Sequence, residues 1–334
     1  MYHALMPTTN PIRPPLPTPA DFAGSLVLTG ATGSGKSGLA LELAEQHGCE
    51  IVSMDSMTIY RHLTIGTAKP TAQEMARVPH HLVDVLDPWV SGSVAWWLIE
   101  AKKACEHIRS RGQTPLFVGG TPFYLKALLQ GLFEAPAPDA ELRAKLEAEC
   151  AEIGVEAFHA KLMAVDAITA KRLHPNDTRR VVRALEVFHS TGQPISALQT
   201  TWDSPAFGNT AVPKPDIRAV VLDWPRDVLR ARIEQRVHAM MAAGWLEEVR
   251  ELEKLPRPVC AEAAAALGYP ELRRHLAGEL SLEEAVDWII IRTQQFAKRQ
   301  LTWFRGLRTI PFVNAAAPDL SLRVGHDWNR AAVE

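Results

Sequence analysis

Leu26-Val27-Leu28-Thr29-Gly30-Ala31-Thr32-Gly33-Ser34-Gly35-Lys36-Ser37 joins an apolar run to a glycine-rich turn ending in Lys-Ser. Its last eight residues satisfy G-x-x-x-x-G-K-[ST] at every fixed position, the pattern of a phosphate-binding P-loop. Glycines at 30, 33 and 35 let the backbone turn so that N–H groups face one concavity. Lys36 adds a cation, and the Ser37 hydroxyl can reach a magnesium ion. A helix starting near Ser37 aims its positive end at the same anion. The amphipathic stretch Leu39, Leu41, Leu43, Ala44 supplies that helix, completing the strand, turn and helix context that the motif requires.

Downstream of this motif the pattern alternates. Ile51-Val-Ser-Met54 reads as a strand ending at Asp55, Leu82-Val-Asp-Val85 as a third short strand, and Pro115-Leu-Phe-Val118 as a fourth, closed by Gly119-Gly120-Thr121. Helical stretches run from about 93 to 109 and from Thr121 through Leu129. This alternation predicts an α/β fold, a P-loop NTPase-like parallel sheet with helices on both faces and ligands at the carboxyl ends of its strands. From about 138 to 200 only helical signals remain, which predicts an all-helical insertion domain. Ile217 to Leu222 returns as a strand, so the α/β core is expected to span 23–137 and 201–313. The rest is helical, with Ser281-Leu-Glu-Glu284 as a capping box and Ile310 to Val313 as an edge strand. Six prolines between residues 7 and 19 predict a disordered leader over 1–22, and 314–334 reads as a loosely held tail.

Composition narrows the function classes. The chain has 334 residues, 47% of them hydrophobic, enough for two domains or one domain with a large insertion. It contains no run of 18 apolar residues and no signal-peptide pattern, so a soluble cytoplasmic protein is expected. Cys49, Cys105, Cys150 and Cys260 stand far apart, which argues for ordinary buried thiols rather than a disulfide framework or a zinc site. The net charge of −2 hides two basic clusters. One runs Lys171, Arg172, His174, Arg179, Arg180, Arg183; the other holds Arg292, Lys298, Arg299, Arg305 and Arg308 without one acid. Either is a solvated helix face or part of a polyanion groove.

A P-loop alone fits kinases, NTPases and some transferases. NTP-hydrolysing relatives place an acid at the end of a late apolar strand, where this chain has Gly119-Gly120-Thr121. Asp55, ending the strand after the P-loop helix, is the carboxylate expected beside the bound phosphates.

Nine ordered blocks then resemble the bacterial tRNA dimethylallyltransferases. They are Gly30–Ser37, Val52–Ser56 with Ile59-Tyr60, Ile65–Pro70, Val78–His81, Val118–Thr121, Arg183–Glu186, Arg232–Arg236, Gly268-Tyr269 and Ala297–Arg305. The resemblance implies transfer of a dimethylallyl group from its pyrophosphate to the exocyclic amine of the adenosine beside the anticodon, in tRNAs reading codons that begin with uridine. It implies a magnesium cofactor on Ser37, the tRNA anticodon stem-loop as partner, a monomer, and no membrane association. Asp55 would accept the amine proton, Thr121 would contact the reacting centre, and Arg232 would hold pyrophosphate. Ser56, Met57 and Thr58 would line the base pocket with Asp55 and Thr121. Further tRNA contacts would come from Arg143, Arg179, Arg180, Arg183, Gly268, Tyr269, Lys298, Arg299, Gln300, Thr302, Trp303 and Arg305. The chain departs from the family in having Pro270 where a basic residue usually stands, and Ala31 where proline is common. The rivals are an adenylate isopentenyltransferase, which needs no tRNA groove, and a P-loop nucleotide kinase.

Overall fold

The computed structural model describes residues 15–133, 135–136, 139–199, 216–307 and 309–330. The chain divides into two compact units, one drawing on Met1–Leu129 and Pro215–Glu334, the other on Gln130–Lys214. The division thus falls outside the expected limits of 138 and 200, and residues 200–215 lie outside the described part.

The first unit is built on one six-stranded sheet: β1 (Ser25–Gly30), β2 (Cys49–Ser53), β3 (His80–His81), β4 (Thr114–Gly119), β5 (Ile217–Asp223) and β6 (Phe312–Asn314). Its order is β3-β2-β4-β1-β5-β6, and every pairing is parallel. The central strands are buried at nearly every position because helices cover both of their faces. Leu26, Leu28, Ile51, Leu116, Val118 and Leu222 pack with the P-loop helix Lys36–His47 in one buried cluster. On the sheet's other side Phe117 meets Phe22 and Trp97 edge to face, with ring centroids 5.9 Å apart in each pair. Strand β4 inserts between β1 and β2, with Thr29 opposite Gly119 and Ser53 opposite Val118. The end of β2 is therefore two strands, on the order of 10 Å, from the end of β1.

Three sequence expectations are corrected here. Leu82 to Val85 is not a strand: Leu82 and Asp84 have φ of 60° and 55°, so the chain turns there, and the short strand is His80–His81 just before it. That turn is held by Lys69, whose buried ammonium reaches both Asp84 and the Tyr60 carbonyl. The segment after Asn314 is not loose, because Leu320–Arg330 is a helix that buries Val324 and Trp328 against the sheet. Trp328 Nε1 donates to the Val27 carbonyl at 3.3 Å. The expected leader ends early as well: Pro19–Phe22 forms a 3₁₀ turn whose Phe22 is fully buried. Residues 1–14 lie outside the described part.

The second unit is all helical: Ala140–Ile153, Val155–Val165, Ala167–Arg172, Thr178–Thr191 and Ile195–Leu198. Asp139 caps the first helix through the N–H groups of Glu141 and Leu142. Leu146, Phe158, Leu162, Val181, Leu185 and Val187 fill its core.

Candidate active site

The P-loop begins where β1 ends. Gly35 adopts φ 84° as the N-cap of the helix Lys36–His47, a left-handed conformation that glycine takes without strain. Two donors hold the carbonyls of this turn: Trp224 Nε1 donates to Ser34 O and Arg232 Nε to Gly33 O, each at 2.9 Å. Because a trans peptide points its C=O and N–H in opposite directions, fixing the Ser34 carbonyl also fixes the Gly35 N–H. The first N–H groups of the helix have no intrahelical partner. Beside them, Lys36 Nζ lies 3.3 Å from the Ala31 carbonyl. Burial, helped by the Arg236 charge and opposed by Asp55, brings this amine down to about 8. Gly30, Ala31 and Ser34 of the same turn are buried.

Strand β4 passes between the P-loop and Asp55 with almost no clearance. A Cβ on Gly119 would overlap the Met54 carbonyl. One on Gly120 would come within 2.8 Å of Gln300 Nε2, 3.0 Å of the Gly30 carbonyl and 3.4 Å of Lys36 Nζ. Only glycine lets the chain thread this gap, which explains the Gly-Gly pair where NTP-hydrolysing relatives have an acid. Thr121 follows directly, and its hydroxyl accepts a hydrogen bond from the Ser56 N–H at 3.1 Å. That bond ties the end of β4 to the loop after β2. Asp55 Oδ1 accepts from the Met57 N–H at 2.8 Å, and Thr58 Oγ1 bonds Ser53 Oγ at 2.8 Å.

These groups surround one cavity of about 720 Å³. Of the residues singled out from sequence, Thr32, Gly33, Gly35, Lys36, Ser37, Asp55, Ser56, Met57, Thr58, Thr121, Tyr269, Arg299 and Gln300 line it. Arg299 is exposed, with its guanidinium 5.8 Å from the Phe296 ring centre. Ser37 presents an exposed hydroxyl, and no cluster of three His, Cys, Asp or Glu able to cage a metal occurs among the described residues.

Several of the residues singled out are engaged in internal contacts or lie away from the cavity. Arg232 braces the P-loop from outside the cavity, its guanidinium 4.6 Å from the Trp224 ring centre. Tyr269 is fully buried and gives its hydroxyl proton to Glu248 at 2.6 Å, while Gly268 packs against Trp245. Glu248 also accepts from the N–H groups of Thr64, Ile65 and Gly66, so this corner is an internal clamp on the loop. Gln300 is buried and bonds the Thr32 N–H and the Gly120 carbonyl. Further along the helix Leu282–Arg305, Lys298 and Thr302 are exposed, Trp303 is half-buried against Phe304, and Arg305 lies 3.7 Å from Asp223. In the helical unit Arg179 and Arg180 are exposed. Arg143 and Arg183 instead pair with the fully buried Glu186, at 2.7 and 2.8 Å. Arg236 was missed from sequence although it lines the cavity; its position one helical turn after Arg232 is the signal that could have found it.

A model of the IPP transferase family matches residues 58–307. The tRNA dimethylallyltransferase of Geobacter metallireducens is 46% identical over 280 residues, 84% of this chain and 89% of that protein. That of Paraburkholderia xenovorans is 43% identical over 305 residues, 89% and 94% of the two chains. The crystal structure of a tRNA isopentenylpyrophosphate transferase from Bacillus halodurans aligns with a TM-score of 0.64 at 34% identity, covering 93% of this chain and 98% of that one. A eukaryotic dimethylallyltransferase solved acting on tRNA aligns with a TM-score of 0.74 at 26% identity, over 92% and 79%. Among the described residues no helix is long and apolar enough to cross a membrane.

Proposed function

The chain belongs to the IPP transferase family and transfers a dimethylallyl group to tRNA; we propose that the donor is dimethylallyl pyrophosphate and the acceptor is the exocyclic N6 amine of the adenosine 3′ to the anticodon, in tRNAs reading UNN codons. The observation that carries this reading is the placement of Asp55 and the P-loop on one cavity, with β4 between their strands. The separation leaves room for an allylic chain and a purine between the diphosphate and the carboxylate.

The reaction breaks the allylic C–O bond, whose electron pair departs with the diphosphate, and forms a C–N bond from the adenine amine. The amine proton goes to Asp55, whose Oδ1 is already oriented by the Met57 N–H. P-loop amides and Lys36 stabilise the charge on the leaving oxygens. The Thr121 hydroxyl, whose oxygen accepts from Ser56, has its own proton left to donate toward the reacting centre. Ser37, exposed at the start of the P-loop helix, would hold a magnesium ion, since magnesium keeps most of its waters and needs few protein ligands. It would add Lewis-acid charge to the leaving group.

A stacked anticodon-loop adenine must be flipped out to reach such a cavity. Arg299, exposed and cavity-lining, suits the phosphates that flank the flipped base, and Lys298 and Thr302 extend the same surface. Arg179 and Arg180 offer a second phosphate-binding face on the helical unit. Action as a monomer in the cytoplasm belongs to the same reading.

The test is incubation with magnesium, labelled dimethylallyl pyrophosphate and unmodified tRNA, followed by nuclease digestion and mass analysis. Label should appear on N6 of one adenosine of the anticodon loop. Label on free adenylate with tRNA untouched, or turnover of a nucleoside triphosphate instead, would reject the reading.

A further inference from the structure

Among the described residues, the non-glycine positions with left-handed φ are His62, Ala68, Leu82 and Asp84, and all lie in the loops 61–70 and 82–86. These loops supply Gly66 to Pro70 and Val83 to the cavity wall. Strained conformations persist where the surroundings over-determine them, and they gather where a shape serves a function. The first loop is held at both ends. Lys69, its side chain almost fully buried, reaches the Tyr60 carbonyl and Asp84. At the other end the half-buried Glu248, on the helix Trp245–Glu253, accepts from three successive N–H groups. Oε2 takes those of Thr64 and Ile65 at 2.8 and 2.6 Å, and Oε1 that of Gly66 at 3.2 Å. Tyr269, opening the helix Tyr269–Leu276, donates to the same Oε1 at 2.6 Å. Burial and the Glu248 charge push its phenol up, so it stays a donor. Trp245, three residues before Glu248, closes the corner: a Cβ on Gly66 would fall 2.1 Å from its Nε1, and one on Gly268 2.2 Å from its ring.

The corner is connected to the side of the cavity that holds Asp55. Asp84, held by Lys69, donates its N–H to the Thr58 carbonyl at 3.1 Å, and the Val85 N–H donates to Ile59 at 2.9 Å. Thr58 lines the cavity with Ser56, Met57 and Asp55. Successive N–H groups closing on a carboxylate form an anion nest, and its charge-assisted bonds are stronger than neutral ones. We propose that Glu248 is a positioning residue for the acceptor adenine, acting through the loop it clamps rather than by touching the substrate. Its carboxylate fixes residues 64–66, Lys69 passes that placement to Asp84 and Tyr60, and the wall that meets the base is held so that the amine lies within reach of Asp55. Tyr269 orients the carboxylate. The P-loop is braced separately, by Trp224, Arg232 and Gln300, so diphosphate binding does not depend on this clamp. The inference rests on the reading above that the adenine enters beside Ser56 to Thr58.

The experiment uses the full-length protein and the variants Glu248→Ala, Glu248→Gln and Tyr269→Phe. The kcat and tRNA KM are measured at saturating dimethylallyl pyrophosphate, and binding of inorganic pyrophosphate with magnesium is measured by calorimetry without tRNA. Wild type that puts no label on tRNA would remove the acceptor reading itself, whatever Glu248 does. With wild-type transfer in place, Glu248→Ala should lower kcat/KM for tRNA by about 10²-fold, the effect of misplacing a reacting group by roughly 1 Å, with pyrophosphate affinity unchanged. Glu248→Gln, whose amide oxygen still accepts from the loop, and Tyr269→Phe should each lose about 10-fold, and both guard against an Ala variant that folds poorly. A parallel fall of pyrophosphate binding and of tRNA kcat/KM in all three variants would overturn the proposal and make Glu248 a contact for stability alone. Wild-type tRNA kinetics in Glu248→Ala would overturn it as well.

Discussion

Thr32 and Gln300, 268 residues apart in the chain, are joined by a hydrogen bond from the Thr32 N–H to Gln300 Oε1 at 2.9 Å. The amide nitrogen of the same side chain donates to the Gly120 carbonyl. One buried glutamine on the helix Leu282–Arg305 therefore sets the distance between the P-loop and the end of β4.

Gln300→Leu, which keeps the bulk and removes both bonds, should raise the donor KM roughly 10-fold, the equivalent of one or two lost hydrogen bonds. Affinity for tRNA should change little. Donor titrations at saturating tRNA and filter binding of labelled tRNA separate the two. A loss confined to tRNA binding would make Gln300 an RNA contact instead of a latch.

Asp55→Asn keeps an acceptor for the Met57 N–H while removing the base. Turnover should fall by about 10²–10⁴-fold with tRNA affinity almost unchanged. Single-turnover assays beside equilibrium binding give both numbers, and full-speed turnover by this variant would take Asp55 out of the proton transfer.

The Lys36 amine, pushed by burial to about 8, should impose a basic limb on donor use. The bound diphosphate favours the charged amine, so deprotonation of the free enzyme above pH of about 8 opposes binding. Donor kcat/KM should therefore decline as pH rises through that value, by up to about 10-fold per pH unit. The profile of Lys36→Met, low throughout, should lack this limb.

Glu186 is fully buried and accepts from Arg143, Arg183 and the Asp139 N–H. Glu186→Ala should destabilise the helical unit by about 2–4 kcal/mol, toward the lower end for a buried pair because both arginines can regain water. Burial raises the pKa of this carboxyl, but Arg183, Arg143 and the Asp139 N–H outweigh it and hold it below the ordinary 4.5. Its stabilisation is therefore present above that value and lost as pH falls through the lower folded one. Urea melts read by hydrogen exchange in residues 140–198 should show wild type and variant converging in acid.

The alternation of strands and helices was legible because a doubly covered sheet writes itself as short apolar runs broken by turns. Local signals also sufficed for the Ser281 capping box, whose reciprocal bonds with Glu284 are present. The Leu82–Val85 segment was misread because its apolar composition looks like a strand, while the ammonium that bends it comes from Lys69. The tail was misread for a related reason: Leu320–Arg330 is polar on average, and the surface that receives Trp328 is assembled from strands and a helix far earlier in the chain.

Within the site, the motif residues could be picked out individually, but which ones meet could not. The P-loop, Asp55 and the Gly119-Gly120-Thr121 turn are each encoded in a few consecutive residues, since phosphate cradling and tight turns depend on backbone conformation at fixed spacings. Strand order placed β4 between β1 and β2 and so set the gap between diphosphate and carboxylate. Tertiary packing alone decided that Arg232 braces while Arg236 faces the cavity, and that Arg143 and Arg183 pair with a buried glutamate. A side chain's charge is written in the sequence; whether that charge meets a ligand or a neighbour depends on what the fold brings within a few ångströms of it.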